Sequence, residues 1–275
     1  MLKRTKLKIG IVGCGAIGSS LAEEIAGKFK EQALLCGLFD IKPEKAIILA
    51  KKIRKNNSLA VATLDELIKK SDLLIEASHA NSAWQIARKT VSSGRKIMIM
   101  SVGGMVGHLD ELFRLSSKHN TQAYFPSGAI SGIDALKAAN IAGIKKVTLT
   151  TRKHPDSFSG VDYVTKKFKL SSIKKDTILF KGSARLATKY FPQNINVAAV
   201  LALAGIGIDK TKVQIIASPK VNRNIHEILI ESKSAKIFTR TENVLHPQNP
   251  KTSFLAVLSA IATLKQILQP VKIGT

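Results

Sequence analysis

A glycine-rich segment near the N-terminus has the residue types and spacing of a phosphate-binding turn. It reads Gly13-Cys14-Gly15-Ala16-Ile17-Gly18 and follows an apolar run. In such a turn the first glycine permits the bend, the second lets the backbone approach a pyrophosphate, and the third allows close helix packing. The start of the following helix favours the anion. We therefore predict a dinucleotide site that includes Gly13, Gly15, Ala16, Ile17 and Gly18, although similar turns also occur in α/β folds without a nucleotide.

An acidic residue stands where such a site would need one. Asp40 ends the second apolar run, in the place of a carboxylate that accepts hydrogen bonds from the adenosine ribose hydroxyls. Its charge would repel a 2′-phosphate, which favours NAD. Lys42 and Lys45 follow and could offset that repulsion. NAD is thus the expected cofactor, and NADP stays open.

Six histidines are candidates for proton transfer near neutral pH. His79 ends an apolar run, at the functional edge of the expected sheet. His226 lies in a β-rich run, Asn224-Ile225-His226-Glu227-Ile228, and a lone histidine in a strand is more often structural. No histidine pair has the spacing of zinc ligands, so we predict no metal site. The two cysteines build no disulfide framework, and a reducing cytoplasm is expected.

Two polar segments lie in otherwise apolar surroundings. Asn194 and Asn196 stand at the mouth of a buried helical run, and the small-residue loop 127–132 precedes another predicted helix. Such residues commonly cap helices. They could equally present amides to a carboxamide or a carboxylate, and the sequence leaves both possibilities open.

The first part of the chain alternates apolar, strand-like runs with helical patterns, which predicts a doubly wound parallel sheet. The predicted strands are Leu7–Val12, Ala33–Phe39, Leu73–Glu76, Lys96–Met100 and Gln122–Phe125, and the predicted helices are Ile17–Lys28, Pro43–Arg54, Ser82–Ser92 and Leu109–Lys118.

After Phe125 the alternation is lost, which favours an α+β domain. The predicted strands there are Lys146–Arg152, Thr177–Phe180, Lys212–Ala217, Ile225–Ile230 and Ala235–Arg240, and the predicted helices are Ile130–Ala139, Ala184–Tyr190 and Val197–Leu203. A turn-rich linker at 246–250 precedes a last helix over about 251–268, which should pack back on the first domain. We thus predict an α/β fold with a Rossmann domain over 1–125, completed by 246–275, and an α+β substrate and dimerisation domain over 126–245.

The charge of the chain calls for an explanation. Its 275 residues carry 43 Lys and Arg against 19 Asp and Glu, a net charge of +24, yet 45% of the residues are hydrophobic. That composition excludes a disordered or fibrous protein. The longest apolar run is too short to cross a bilayer, so no membrane partner is expected. The lysines are scattered and only 5% of residues are aromatic, which argues against a nucleic-acid partner.

Beyond the glycine loop, the chain resembles the L-aspartate dehydrogenase family over most of its length. The matching segments, in order, are Gly13–Gly18, Ile99–Gly103, Phe125–Gly132, Thr150–Lys153, Gly182–Arg185, Phe191–Ala199, Ile225–Ile228, Glu242–Asn243 and Asn249–Ser253. The glycine loop is common to many families, whereas the later segments are far more specific.

The resemblance implies NAD(P)-dependent deamination of L-aspartate through iminoaspartate to oxaloacetate and ammonia, reversibly, in a homodimer. The imine could instead supply NAD biosynthesis. It also implies that His226 is the active-site residue, which replaces the structural interpretation above. By the same resemblance Ala129 and an asparagine of the pair Asn194 and Asn196 contact the cofactor, while Arg152 and Lys153 are candidate carboxylate partners from their charge alone.

The chain departs from the family in one turn, because Glu231-Ser232-Lys233-Ser234-Ala235 replaces a glycine-containing turn after the histidine strand. The strong positive charge is a second departure. Two alternatives remain: a Rossmann dehydrogenase or reductase for a related amino or imino dicarboxylic acid, and a non-catalytic, basic nucleotide-binding protein.

Overall fold

The computed structural model describes residues 5–191, 196–247 and 249–274, and for 249–251 the backbone only. The chain forms two compact units. One ends at Pro126 and takes in Val257–Ile273, and the other comprises Ser127–Ala256. No helix in the described part of the chain is long and apolar enough to span a membrane.

The first unit contains a five-stranded parallel sheet in the order β2-β1-β3-β4-β5. Its strands are β1 Leu7–Val12, β2 Ala33–Phe39, β3 Leu73–Glu76, β4 Lys96–Ile99 and β5 Ala123–Tyr124. The continuous apolar runs form these strands because the sheet is buried on both faces, and β3 is buried at every residue. The predicted parallel α/β sheet is confirmed.

Helices cover both faces of this sheet. They are α1 Ala16–Ala26, α2 Pro43–Arg54, α3 Leu64–Lys70, α4 Ala80–Ser92 and α5 Leu109–Lys118, with a 3₁₀ turn at Val102–Met105. The C-terminal helix, α10 Phe254–Leu268, contributes Ala260 and Leu264 to the apolar cluster around Ile9 and Ile11. The end of the chain therefore packs on the first unit, as its apolar stripe requires.

Helix α3 is absent from the sequence-based prediction, although the spacing of Thr63 and Glu66 indicates the start of a helix. Thr63 Oγ1 accepts the backbone N–H of Glu66 at 3.2 Å, and Glu66 Oε2 accepts that of Ala62 at 3.3 Å. The Thr63 bond satisfies an N–H group in the first turn of the helix, and the Glu66 bond ties the helix to the residue before its N-cap.

The second unit contains a mixed sheet in the order β10-β9-β6-β8-β7, in which only the β6–β8 pair is parallel. Its strands are β6 Ile144–Lys153, β7 Thr177–Ser183, β8 Lys212–Ala217, β9 Asn224–Ser232 and β10 Lys236–Asn243. Its helices are α6 Ile133–Ile141, α7 Asp162–Thr165, α8 Ala184–Tyr190 and α9 Asn196–Ala204. The mixed sheet is that of the predicted α+β domain.

One face of the mixed sheet bears the core of the second unit, and the other is open. Val147 and Leu149 of β6 and Ile228 and Ile230 of β9 alternate onto the core face, where residues of α6, α8 and α9 cover them. This alternation decides the face on which each polar residue lies.

Several predicted boundaries differ from the structure, and two of the differences affect the residues that precede helices α6 and α10. Helix α6 begins at Ile133 and not at 130, because Gly132 adopts a left-handed conformation with φ 86° that no helical residue shares. Within the expected linker at 246–250, His246 and Asn249 pair across two short antiparallel strands, β11 Leu245–His246 and β12 Asn249–Ser253, and the last helix starts at Phe254.

The hairpin between β9 and β10 closes without a glycine. The Ser232 hydroxyl accepts the N–H groups of Ser234 and Ala235 at 3.2 and 2.9 Å, while the Ser232 N–H donates to the Ala235 carbonyl. The serine side chain thus replaces the backbone bonds of a tight glycine turn. The departure from the family's turn leaves β9 and β10 paired in continuous register from Asn224 to Glu231.

Candidate active site

The glycine loop has the geometry of an anion-binding turn. Gly13 adopts φ +94°, a conformation that favours glycine, and a Cβ there would collide with the Ala77 carbonyl. A Cβ at Gly18 would collide with the Gly13 carbonyl, so this glycine is needed for α1 to pack on β1. A Cβ at Gly15, by contrast, would meet nothing within 4 Å. The loop is therefore open at Gly15, where a pyrophosphate would approach.

The first turn of α1 contains no anionic residue of its own. Its N-cap is Gly15, which makes no side-chain cap, and no acidic residue lies in the first turn of α1. The positive end of the helix dipole at Ala16 and Ile17 is therefore not neutralised by the helix itself. Among the described residues, these features fit the pyrophosphate of a dinucleotide.

Asp40 links the end of β2 to the glycine loop. Its Oδ2 accepts the backbone N–H of Cys14 at 2.8 Å, and its Oδ1 accepts that of Lys42 at 2.9 Å. Each carboxylate oxygen retains further acceptor capacity, which suits ribose hydroxyls. Burial raises the pKa of the Cys14 thiol to about 12, the charge of Asp40 adds to this, and the charge of Lys45 opposes it. Cys14 is consequently a protonated, unreactive group, and Lys45 lies near the loop.

A buried carboxylate at the end of β3 organises the next two loops. Glu76 is fully buried and accepts the Ser78 N–H at 2.8 Å, the Ser78 hydroxyl at 2.6 Å and the Ser101 N–H at 3.0 Å. It thereby joins the loops that follow β3 and β4, at the carboxyl edge of the sheet where ligands bind in such folds. The exposed His79 is the N-cap of α4, with no side-chain cap bond.

His226 lies on the core face of the mixed sheet, 6% exposed. The β-sheet register places it opposite Thr151 of β6 on one side and Thr241 of β10 on the other. Its Nδ1 lies 3.0 Å from Thr151 Oγ1. These groups form a polar row where the apolar core face of the sheet ends.

Burial, and to a lesser extent the positive charge of Lys153, lower the pKa of His226 to about 3. Burial also lowers the pKa of Lys153 to about 8. The imidazole is therefore neutral at physiological pH. In this form it can accept a proton through one nitrogen while the other stays bonded to Thr151.

Strand β10 fixes the loop that carries Ala129. Asn243 Nδ2 donates to the Ala129 carbonyl at 3.1 Å, and Asn243 Oδ1 accepts the Ser253 hydroxyl at 2.5 Å. Ser131 Oγ lies 3.1 Å from Thr241 Oγ1. Ala129 is thus held to the same edge strand that flanks β9. Asn196 is exposed at the start of α9, whereas Asn194 lies outside the described residues.

Both halves of the chain match family models. Residues 134–267 match "Aspartate dehydrogenase, C-terminal" and residues 13–126 match "Homoserine dehydrogenase, NAD binding domain". The L-aspartate dehydrogenase of Methanosarcina acetivorans is 46% identical over 98% of this chain and 100% of that protein. That of Nitrosopumilus maritimus is 35% identical over 98% of this chain and 99% of that protein. The chain belongs to the aspartate dehydrogenase family.

A solved structure supports the same fold for this family member. The aspartate dehydrogenase of Thermotoga maritima superposes with a TM-score of 0.72 at 23% identity and covers 98% of this chain and 100% of that one. The chain is thus an oxidoreductase with an NAD-binding domain that holds the glycine loop and Asp40, and with a family C-terminal region that holds His226.

Two residues of this family member were missed as functional candidates in the sequence. Glu76 resembles any residue that ends an apolar strand, and Thr151 resembles any strand threonine. Their roles depend on contacts with residues distant in sequence, such as Ser101 for Glu76 and His226 for Thr151. In the sequence, only the family-matching segments 99–103 and 150–153 indicated that the residues near Ser101 and Thr151 have a function.

Glu227, the residue after His226, lies on the open face of the sheet. It pairs with Arg240 at 2.5 Å and with Arg152 at 3.4 Å. The strand alternation thus separates an ion-paired network on the open face from the row of Thr151, His226 and Thr241 on the core face. Within the described residues, no three His, Cys, Asp or Glu side chains converge as metal ligands would.

Proposed function

We propose that this protein oxidises L-aspartate with NAD⁺, giving oxaloacetate, an ammonium ion, NADH and a proton, with one water consumed. The reaction is reversible as reductive amination. The observation that carries the proposal is His226: a buried, neutral imidazole, bonded to Thr151, within the region that matches the aspartate dehydrogenase C-terminal model. The names of the full-length relatives support aspartate as the substrate.

The bound nicotinamide supplies the acceptor for the hydride that leaves Cα of aspartate, which becomes iminoaspartate. In the first unit, the N–H groups at the start of α1 would hold the pyrophosphate and Asp40 would hold the ribose hydroxyls. Asp40 disfavours a 2′-phosphate and so supports NAD⁺. The positive charges of Lys42 and Lys45 can offset that repulsion, which supports NADP⁺ as a second cofactor.

His226 serves the hydrolysis of the imine. The neutral imidazole takes a proton from water as the water oxygen bonds to the imine carbon. Attack on the protonated imine in this way gives a neutral carbinolamine. The imidazolium then returns its proton to the carbinolamine nitrogen, and the C–N bond breaks as the carbonyl forms. The hydroxyl proton passes through the imidazole to the leaving ammonia, which departs as an ammonium ion. The carboxylates of a bound substrate raise the pKa of His226, because negative charges favour the imidazolium. Substrate binding thereby makes this buried imidazole a stronger base.

The same chemistry allows a second fate for the imine. If iminoaspartate leaves before water adds, it can supply the biosynthesis of NAD. A coupled assay that traps the imine distinguishes this fate from hydrolysis: oxaloacetate production below NADH production supports release, and equal amounts argue against it.

We infer that the chain forms a homodimer through the open face of its mixed sheet. Phe238 is 62% exposed there, on β10 beside Leu229 of β9. A second copy would cover this exposed aromatic ring. Light scattering should give twice the chain mass for the wild type and the monomer mass for Phe238→Glu; a monomeric wild type would contradict the dimer.

The central experiment is an aspartate-dependent NADH assay with the purified protein. L-Aspartate should reduce NAD⁺, with glutamate, homoserine and alanine as comparison substrates and NADP⁺ as the comparison cofactor. A higher kcat/KM for a related amino dicarboxylic acid would make that acid the substrate, and no turnover with either cofactor would refute the proposal.

The two free cysteines accord with a reducing cytoplasmic location.

A further inference from the structure

Two adjacent basic residues of β6 lie on opposite faces of the mixed sheet. Arg152 is on the open face, where Glu227 pairs with it at 3.4 Å. Lys153 is on the core face with Thr151, and both line a cavity of about 10 Å³. Most of the other groups around this cavity are apolar side chains of the core, among them Phe158, Phe191 and Ala198. The alternation of the strand thus separates two cations that the sequence presents as equivalent.

Lys153 acts on the imidazole of His226. Its charge is the second cause, after burial, of the lowered His226 pKa, so the two groups are close enough to interact. Thr151 precedes Lys153 by two residues and pairs in register with His226. Residues two apart on one strand have Cα atoms about 6.6 Å apart on the same face. A small ligand at His226 is therefore within reach of the flexible Lys153 side chain.

The surroundings of Lys153 favour an anionic ligand. Burial among core side chains lowers the pKa of Lys153 from 10.5 to about 8, because desolvation disfavours the charged ammonium form. A negative charge placed at the same site would stabilise the ammonium. Because the local dielectric is lower than in water, a charge-assisted hydrogen bond there is stronger than one at the surface.

We propose that Lys153 binds a carboxylate of the substrate beside His226 and so is a second substrate-contacting residue of the active site. The inference rests on the proposed function, since it takes aspartate as the ligand. The bound carboxylate also offsets the charge that Lys153 exerts on His226. The histidine therefore becomes more basic when the substrate is present, at the stage when it must accept a proton from water.

The first test compares Lys153→Met with Lys146→Met. Methionine keeps an unbranched side chain without the charge. Lys146 lies on the same strand, but its side chain is 56% exposed and it approaches Glu231. Lys153→Met should raise KM for L-aspartate about 10- to 100-fold, as expected for the loss of a hydrogen bond between charged groups. Lys146→Met should leave KM unchanged, and thermal melting would check that both variants fold.

The second test uses the wild-type chain and needs no variant. Lysines are labelled by reductive methylation with and without succinate, a dicarboxylate that cannot be oxidised at an amine, and the labelled positions are read by mass spectrometry. Succinate should slow labelling of Lys153 at least several-fold and leave Lys146 unaffected. Equal labelling of Lys153 with and without succinate, when calorimetry shows succinate bound, would overturn the inference.

The outcomes separate this inference from the proposed function. If the wild type oxidises aspartate and Lys153→Met has an unchanged KM, the role of Lys153 is refuted and the function stands. If the wild type oxidises no aspartate but succinate protects Lys153, the carboxylate site stands and the proposed reaction is refuted.

Discussion

Thr151 Oγ1 lies 3.0 Å from His226 Nδ1, across the register that pairs β6 with β9. The two residues are separated by 75 positions in sequence, and both side chains are buried. This hydrogen bond fixes the orientation of the imidazole ring. It also determines which ring nitrogen is left to meet water or substrate, because a neutral imidazole has one donor and one acceptor.

Replacing Thr151 by valine should lower kcat about 10-fold or more, with a smaller change in KM. The reason is that leaving a buried ring nitrogen without its hydrogen-bond partner costs about 1–3 kcal/mol of free energy. Thr151→Ser keeps the hydroxyl and should recover most of the activity. Thr150→Val is the matched control, because Thr150 lies on the open face opposite Glu227. Steady-state kinetics of the three variants would show the difference; wild-type kcat in Thr151→Val would argue against a positioning role.

The parts of the fold that depend on local sequence patterns were predictable from the sequence. Runs such as Leu7–Val12 and Leu73–Glu76 are strands in the structure with the predicted bounds, because a strand buried on both faces needs a continuous apolar run. The glycine loop was equally predictable, since its function depends on three glycines at a fixed spacing. Helix α3 could have been found from Thr63 and Glu66, which have the sequence spacing of a capping box, and Thr63 does cap the helix.

The candidate active site was less predictable because it is assembled by strand order and register. Nothing local in the sequence around Thr151 shows that it faces His226, since this depends on β6 and β9 being neighbours. Arg152 and Lys153 cannot be distinguished by charge, and only the parity of the strand places Lys153 with the histidine. His226 itself was singled out through the family resemblance, not by its residue type.

Gly15 and Gly18 of the loop should respond differently to substitution by alanine. Gly18→Ala forces a methyl group against the Gly13 carbonyl and should destabilise the protein by about 1–3 kcal/mol. Gly15→Ala places the methyl group in open space, so the melting temperature should stay near that of the wild type while NAD⁺ affinity falls. Thermal melting with calorimetric NAD⁺ titration measures both effects. Unchanged NAD⁺ affinity in Gly15→Ala would mean that the pyrophosphate binds elsewhere.

Asp40→Asn should weaken the preference for NAD⁺ over NADP⁺. The amide removes the charge that repels a 2′-phosphate, but it can no longer accept from both Cys14 and Lys42 through two carboxylate oxygens. We expect kcat/KM with NAD⁺ to fall about 10- to 100-fold, from the loss of hydrogen bonds to a charged group, and kcat/KM with NADP⁺ to fall less.

A control for this variant is Asp65→Asn, which removes a carboxylate of the same unit that pairs with Lys89 at the surface. It should leave both kcat/KM values unchanged. If Asp40→Asn lowers kcat/KM equally with NAD⁺ and NADP⁺, Asp40 shapes the loop but does not discriminate between the two cofactors.

The low pKa of His226 should make the folded protein less stable in mild acid. In the unfolded chain the imidazole has its ordinary pKa of 6.5, whereas in the fold its pKa is about 3. Between these values the unfolded state binds the extra proton, so the contribution of His226 is fully present above pH 6.5 and is lost progressively as the pH falls toward 3. From pH 8 to pH 5 this amounts to about 2 kcal/mol.

His226→Asn removes the titrating group and keeps a polar side chain near Thr151. Urea denaturation of both proteins at pH 8 and pH 5 gives the free energy of unfolding under each condition. The other titrating groups are shared, so their contributions cancel when the pH dependence of the variant is subtracted from that of the wild type. The wild type should lose about 2 kcal/mol more than the variant. If the two lose the same amount, the imidazole is not held neutral by burial, and the proton-accepting role proposed for it loses its physical basis.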